Sequence, residues 1–498
     1  VAAFIAITCW WLSQDRSVPI YDAGYHLLTA VEYHNMLQAG DVVGVITHQI
    51  VYPPLVHVVG ALAMFLGGVN VDTPIIADNV LFVSLLALGC YQTGRLLYGP
   101  LAGMLAVVFA LSAPLLVSLF HVFMLDPPLT ALVSVSIWLI LASEDFARTR
   151  TALLAGVAVG VGMNIKVQFA LYVAGLVAVA LAHGGWRNRR GFAAFAIVAV
   201  VVGAPWYVVQ LHELGQLVSL AGSGPGVPQS AIPPTLSGHN LLWYFWSVLN
   251  TQLLAPLFAL VLVGGAWMTL TAVRERAQHP ARLELLLGAV AAWAIITFAT
   301  PVHDPRYGLP LLAYLAVIGT AWIAYAPRLA RLAGGALLAV GVCASVLGID
   351  LGSGHEVKLA LSADHVVVYT PDGFLAPAPS RDGDVPGLMA SLRREGVRTV
   401  SYDIQQSALA DFSYQGVDAL AQIAGLSPMI TGGGSSYSRS PRTVTLLHEA
   451  VTAHATAPCT RLDDGTGVWV IRWDTARHAL ALYCPSRRPK FYGSVAVS

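Results

Sequence analysis

Apolar runs of near-bilayer length recur along this chain, and the loops between them alternate between arginine-bearing and arginine-poor. A hydrocarbon core about 30 Å thick is crossed by roughly 20 apolar residues in a helix. No backbone polar group can be left bare inside it, so helices are the available solution for a chain of this pattern. The runs fall at residues 1–13, 73–93, 101–120, 129–143, 152–163, 169–182, 192–209, 248–270, 283–300, 309–325 and 332–347. Charged residues make up 11% of the 498, against about 25% in soluble domains, which leaves lipid as the main solvent. The formal net charge of zero argues against a nucleic-acid partner.

Residues 54–66 are apolar as well, and the positive-inside bias decides how to treat them. With that stretch at the membrane surface, one set of loops holds Arg95, Arg148, Arg150, Arg187, Arg189, Arg190, Arg274, Arg276, Arg282, Arg328 and Arg331. The opposite set, outside the carboxyl-terminal region, holds only Arg16, Lys166 and Arg306. Counting 54–66 as a span destroys this sorting. The expectation is a polytopic α-helical membrane bundle of about eleven transmembrane helices, multi-pass in the cytoplasmic (plasma) membrane, with a cytoplasmic amino end. The first run reads as a trimmed helix, because no small-residue signal cleavage site follows it.

Two domains are expected. Residues 1–351 form the membrane domain, with a long first external loop at 14–72. From about residue 352 the composition changes to that of a soluble, extracytoplasmic α/β domain (352–498), with strands near 366–369, 397–402, 443–447 and 467–473 and helices near 388–395 and 417–424. Cys459 and Cys484 lie in this region and form a disulfide if it faces an oxidising compartment. Cys9, Cys90 and Cys343 lie in apolar runs and read as core residues. No His-x-x-x-His or Cys-x-x-Cys ligand spacing occurs, so no built-in metal site is expected.

In the sorted topology Asp22 and Asp126 face the same external side. A carboxylate at a helix centre costs roughly 2.5–3.5 kcal/mol on insertion scales, so one kept at a span edge needs a reason. Singly, each is a solvated loop residue or a helix start, and Asp126 followed by Pro127 and Pro128 begins a helix well. As a pair on one face they point to chemistry. Lys166 and Arg306 are cations on the side that the other arginines avoid. Snorkelling to headgroups accounts for either; beside two carboxylates they suit an anionic phosphate. Asp304 either pairs with Arg306 or joins the site. The aromatic cluster Trp243-Tyr244-Phe245-Trp246 closes a long external loop at 212–246 that reads as a lid or as an interface belt.

Six motifs in this order carry a family resemblance: Tyr21-Asp22-x-x-Tyr25-His26, Tyr52-Pro53-Pro54-Leu55, Leu125-Asp126-Pro127-Pro128-Leu129, Lys166 after a span, Pro205-Trp206-Tyr207 and Pro305-Arg306-Tyr307. Over roughly the first 350 residues the chain resembles the GT-C superfamily of polyprenyl-phosphate-sugar-dependent glycosyltransferases, in pattern closest to protein O-mannosyltransferases and lipid A aminoarabinose transferases. The resemblance implies an EC 2.4-class enzyme moving a sugar from a polyprenyl-phosphate donor to a protein, lipid or glycan acceptor outside the membrane. Asp22 matches the family's catalytic base and Asp126 its second acidic position, while Lys166 and Arg306 match positions near the donor phosphate. Tyr25, His26, His57, His121 and Tyr307 are candidate substrate contacts. Many relatives carry an acidic residue after the first aspartate; here it is Ala23, which removes an acidic dyad. No cofactor is required by this scheme; a divalent metal recruited by the substrate phosphate is compatible with it but not indicated. The reading from another class is a transporter or flippase for a lipid-linked solute, which places ionisable groups at mid-membrane in repeated halves.

Overall fold

The computed structural model describes residues 1–347 apart from 16–17, 20, 49–50, 212–214, 216–233, 276–277 and 301–302, and beyond them 357–361, 364–369, 385–394, 399–403, 414–430, 469–474, 479–484 and 487–492. The helices are α1 (Ala2–Gln14), α2 (Tyr21–Gln38), α3 (Val42–Thr47), α4 (Leu55–Gly67), α5 (Asp72–Asp78), α6 (Ser84–Tyr98), α7 (Pro100–Ala110), α8 (Pro114–Phe120), α9 (Asp126–Ala142) and α10 (Thr149–Met163). They continue as α11 (Phe169–His183), α12 (Arg189–Val209), α13 (Gly238–Ser247), α14 (Leu254–Arg274), α15 (Pro280–Ala299), α16 (Leu312–Tyr325), α17 (Arg328–Leu347), α18 (Val385–Arg394) and α19 (Tyr414–Ile423).

Among the described residues, five helical stretches are long and apolar enough to cross a membrane: Asp72–Tyr98, Arg189–Val209, Gly238–Arg274, Pro280–Ala299 and Pro305–Tyr325. A sixth arises if α7 and α8, bent by 66°, act as one. The count of about eleven read from hydropathy also includes shorter helices such as α9, α10 and α11, of 17, 15 and 15 residues. At 1.5 Å per residue these span about 22–25 Å, below the hydrocarbon thickness. Helix α4, with 13 residues, reaches only about 20 Å.

The chain divides into two compact units that are discontinuous in sequence, where composition alone places a single break after residue 351. The first comprises Val1–Thr8, Asp41–Val56 and Ile76–Ala376; the second comprises Cys9–Gly40, His57–Ile75 and Pro377–Ser498.

In the first unit α10 packs on α12, α11 on α15, α6 on α7 and α9, and α16 on α7 and α14. Small residues permit these approaches, as expected where helices associate in lipid by close contact: Gly156 on α10 lies against the Phe195 carbonyl of α12. Helix α9 is the core element, with Asp126 through Ile137 and Leu139 through Leu141 buried. A short hairpin, β1 (Val357–Leu361) antiparallel to β2 (Asp364–Tyr369), belongs to this unit.

The second unit carries a five-stranded sheet in the order β4-β3-β5-β6-β7. Strand β3 (Thr399–Asp403) runs parallel to β4 (Ser427–Ile430) and β5 (Trp469–Asp474); β6 (Ala479–Cys484) and β7 (Arg487–Tyr492) continue antiparallel. The strand expected near 443–447 lies outside the described residues, as does Cys459 of the expected disulfide. Cys484 ends β6 with its side chain also outside them; Cys9, Cys90 and Cys343 are free thiols.

Helix α2 crosses α19 at glycines: a Cβ on Gly24 would stand 2.7 Å from the Gly416 nitrogen and 2.8 Å from the Pro19 carbonyl. Those neighbours are backbone and cannot swing aside. Gly24→Ala is therefore expected to lower stability by about 1–3 kcal/mol through overpacking, despite alanine's better helix propensity. Thermal unfolding of the variant checks this; a transition unchanged within error means the two helices do not cross so closely.

Candidate active site

In the first unit, a single turn gathers three of the residues singled out in the sequence, Asp126, Lys166 and Tyr307. Helix α10 ends at Met163 and α11 begins at Phe169, and Lys166 lies between them, 5% exposed. The turn is braced from three directions. Asn164 Nδ2 donates to the Gly160 and Val202 carbonyls, both at 2.9 Å. The Tyr207 hydroxyl donates to the Met163 carbonyl at 2.5 Å, and the Leu55 N–H donates to the Asn164 carbonyl at 3.0 Å. The Tyr52-Pro-Pro-Leu55 and Pro205-Trp-Tyr207 motifs thus hold the lysine turn.

Lys166 Nζ donates to Asp126 Oδ1 at 2.9 Å. Asp126 is 2% exposed at the start of α9, where the positive helix end favours a carboxylate. The Tyr52 and Tyr307 ring centres lie 5.8 Å and 5.4 Å from the same ammonium, within cation–π range. Burial works against the lysine's charge, but the Asp126 carboxylate outweighs it, so the ammonium holds its proton more tightly than an ordinary lysine does.

Arg306 opens a 3-10 segment (Pro305–Leu311) and is paired within it. Its Nε donates to Asp304 Oδ1 and Oδ2 at 3.1 and 3.0 Å, and its second guanidinium nitrogen donates to Oδ2 at 2.7 Å. Burial pushes the Asp304 carboxyl up, yet these bonds and the Arg306 charge hold it below the usual carboxylate range, with Lys166 contributing. The segment is fixed by Gln252 Nε2 donating to the Pro305 carbonyl at 3.0 Å and by the Tyr172 hydroxyl donating to the Tyr307 carbonyl at 2.8 Å. Two cations and two carboxylates therefore share one neighbourhood. Arg306, with 26% of its side chain exposed against 7% for Lys166, is the more accessible cation.

A cavity of about 500 Å³ adjoins Pro305, lined by His239, Trp243, Trp246, Asn250 and Thr251 among others. Trp243 stacks on His303 at 4.8 Å and 12°, and His303 Nε2 lies 2.7 Å from Asn240 Oδ1. Burial, then the nearby His239, lowers the His303 pKa. Stacked aromatic faces beside amide and hydroxyl groups suit a sugar ring or an apolar chain.

A family model described as dolichyl-phosphate-mannose-protein mannosyltransferase matches residues 51–208, the stretch from the Tyr52 motif to the Tyr207 motif. Two solved structures are similar over nearly their whole length. ArnT from Cupriavidus metallidurans in the apo state shares 13% identity at a TM-score of 0.62, covering 99% of this chain and 98% of that one. The same protein bound to undecaprenyl phosphate shares 16% identity at a TM-score of 0.62 with the same coverage. No curated protein matches by sequence. The chain has the fold of these solved structures.

The remaining candidate residues lie within their own units. His121 lies buried between α8 and α9 in the first unit, and burial lowers its pKa to about 4, so it faces its surroundings as a neutral ring at neutral pH. Asp22, Tyr25, His26 and His57 belong to the second unit. Asp22 stands half-buried in the first turn of α2, directly after Tyr21, whose φ of 45° is left-handed. Such a bulky residue costs on the order of 1–2 kcal/mol there. One turn on, on the same helix face, His26 Nδ1 lies 3.0 Å from His57 Nε2, with the Tyr33 ring edge-on to His57 at 6.0 Å. Both histidines are buried.

Sequence reasoning did not single out Tyr52 as a cation partner, nor Tyr172, Gln252, Asn240 and His303 as supports. Only the Tyr52 motif gave a signal. Most of the 212–246 loop lies outside the described residues, but its aromatic end, α13, lines the cavity.

Proposed function

We propose that this chain is an integral membrane glycosyltransferase that moves a sugar from a polyprenyl-phosphate donor to an acceptor hydroxyl or amine outside the cytoplasmic membrane. The observation that carries the reading is the buried Asp126–Lys166 pair with Arg306–Asp304 beside an aromatic cavity. It occurs in a chain whose fold follows, end to end, a protein solved with undecaprenyl phosphate.

The chemistry asks little more. The bond between the sugar's anomeric carbon and the donor phosphate breaks, and the acceptor oxygen or nitrogen takes the phosphate's place. The leaving polyprenyl phosphate gains negative charge, and fixed cations in a water-poor site stabilise charge that develops there. Arg306 is the proposed first contact of that phosphate, and Lys166, locked by Asp126, a fixed source of positive potential. The acceptor's proton needs a base, and Asp22 is assigned to that step on its sequence context. Trp243, Trp246, His239 and Asn250 are proposed to line the path of sugar or lipid. No metal is needed in this scheme. The proposed topology has about eleven spans, a cytoplasmic amino end and residues 352–498 outside, where they help bind the acceptor.

The test is a panel of radiolabelled polyprenyl-phosphate sugars offered to the protein in liposomes with envelope lipids, glycans and peptides, with and without chelator. Label transferred from one donor to an acceptor, insensitive to chelator, is the expected result. Label that crosses the bilayer with its sugar–phosphate bond intact identifies a transporter and overturns the proposal.

A further inference from the structure

The first unit holds a second polar cluster that the proposed transfer does not use. It lies at the other ends of two helices that flank the lysine turn. Helix α9 starts at Asp126 and ends at Ala142, and α11 starts three residues after Lys166 and ends at His183. Seventeen residues of α9 put about 25 Å between its ends. Here Asp145, His183 and Glu284, the last from the start of α15, bring their ligand atoms within 4.8 Å of one another.

Partners within the cluster are too few for its charge. His183 Nδ1 lies 2.7 Å from Asp145 Oδ2 and 3.2 Å from Glu284 Oε1, so one ring nitrogen faces two carboxylates. Glu284 is 5% exposed, and this shared nitrogen is the ion-pair partner it has in the cluster. Asp145 Oδ1 is buried with no hydrogen-bond partner. The neighbouring arginine does not help: Arg148 turns to Glu144 at 2.6 Å. Two carboxylates with a single imidazole leave net negative charge in a site where isolated ionised carboxylates are costly.

The backbone delivering Asp145 is itself unusual. Glu144, Asp145 and Phe146 have φ of 51°, 52° and 63°, a left-handed run that costs non-glycine residues on the order of 1–3 kcal/mol each. Phe146 is fully buried, and Asn188 Nδ2 donates to the Asp145 carbonyl at 2.7 Å. Packing therefore holds the strained turn that turns Asp145 toward His183.

We propose that Asp145, His183 and Glu284 form a divalent metal site of the zinc or manganese class, clasping the ends of α9, α11 and α15. One imidazole nitrogen and two carboxylates are a usual donor set for such ions. A dication bound in place of the shared proton neutralises both carboxylates and uses the unpartnered Asp145 oxygen. His183, with 47% of its side chain exposed, marks the entry from solvent. The site lies away from the lysine turn, so its role is to tie helices together, and it stands whether or not the glycosyl-transfer reading does.

The experiment uses the full chain in detergent, purified without a histidine tag, stripped with chelator and titrated with zinc and with manganese chloride. One equivalent per chain is expected, with a higher unfolding temperature on binding. Pulsed electron paramagnetic resonance of bound manganese is expected to show coupling to one imidazole nitrogen. Glu284→Gln and Asp145→Asn should each weaken binding by roughly tenfold or more, since each removes one of three ligands. No stoichiometric binding, no nitrogen coupling in the wild type, or binding unchanged in both variants overturns the proposal. The spectroscopic result needs no variant to fold.

Discussion

Asp126→Ala is expected to destabilise the protein by about 3–5 kcal/mol, because it leaves the Lys166 ammonium buried without its counter-charge. Lys166 is 5% and Asp126 2% exposed, and the two pair at 2.9 Å. Surface pairs are usually worth under about 1 kcal/mol, so the burial sets the size of the effect. The raised Lys166 pKa gives the sign of the pH dependence. The contribution is complete below the unfolded lysine value of about 10.4 and is lost only as pH rises through the higher folded value. Replacing both partners by apolar residues, Asp126→Leu with Lys166→Met, should recover most of the lost stability, since no orphaned charge remains. It should not recover transfer, because the fixed positive potential is gone. Denaturant titration of the three variants in detergent, with label transfer measured alongside, checks both statements. A loss under about 1 kcal/mol for Asp126→Ala means that the pair is solvated, and with it the proposed electrostatic role fails.

Turnover by Asp22→Asn should fall by about 10²–10⁴-fold, the usual range for a positioned base, with donor affinity little changed. The substitution keeps the size of the side chain and removes only its charge. Asp22 lies in the first turn of α2, where a carboxylate favours the helix by about 0.3–1 kcal/mol, too little to unfold the chain. Asp22→Glu keeps the base on a longer arm and should retain part of the activity. Measuring kcat for label transfer together with equilibrium binding of the lipid donor separates chemistry from affinity. Turnover within threefold of wild type, a loss far smaller than the typical base contribution of about 10²-fold, removes Asp22 from the mechanism.

Several structural features were legible in the residues. Asp126-Pro127-Pro128 announces a helix start, and α9 begins there, because proline lacks the N–H that a first turn leaves unused. Asp304 and Arg306, two residues apart, form the pair that their spacing allows. The strand expected near 366–369 falls within β2 and the one expected at 397–402 overlaps β3, where β-branched residues cluster. Lys166 was conspicuous as a cation in a stretch otherwise free of them, but its partner was not. Asp126 is 40 residues away, and no local pattern links the two.

The His26–His57 pair and the Asp145–His183–Glu284 cluster escaped notice for the same reason. Metal spacing within one helix puts ligands at i and i+4, whereas these groups come from separate elements, and the first and second of the cluster are 38 residues apart. The six motifs were likewise visible only as an order along the chain. That Tyr52, Leu55 and Tyr207 all brace the turn of Lys166 is a matter of packing.

What the sequence by itself determined is the class of solvent and the set of elements: apolar runs that must be helices in lipid, alternating charge at their ends, and acidic and basic residues left where burial is costly. Which of those charges neutralise one another across long stretches of chain was decided by tertiary structure alone. Hydropathy and helix signals act over a few residues, while a Coulomb pairing depends on distance in space, and only the packing of α9 against the α10–α11 turn brings Asp126 to Lys166.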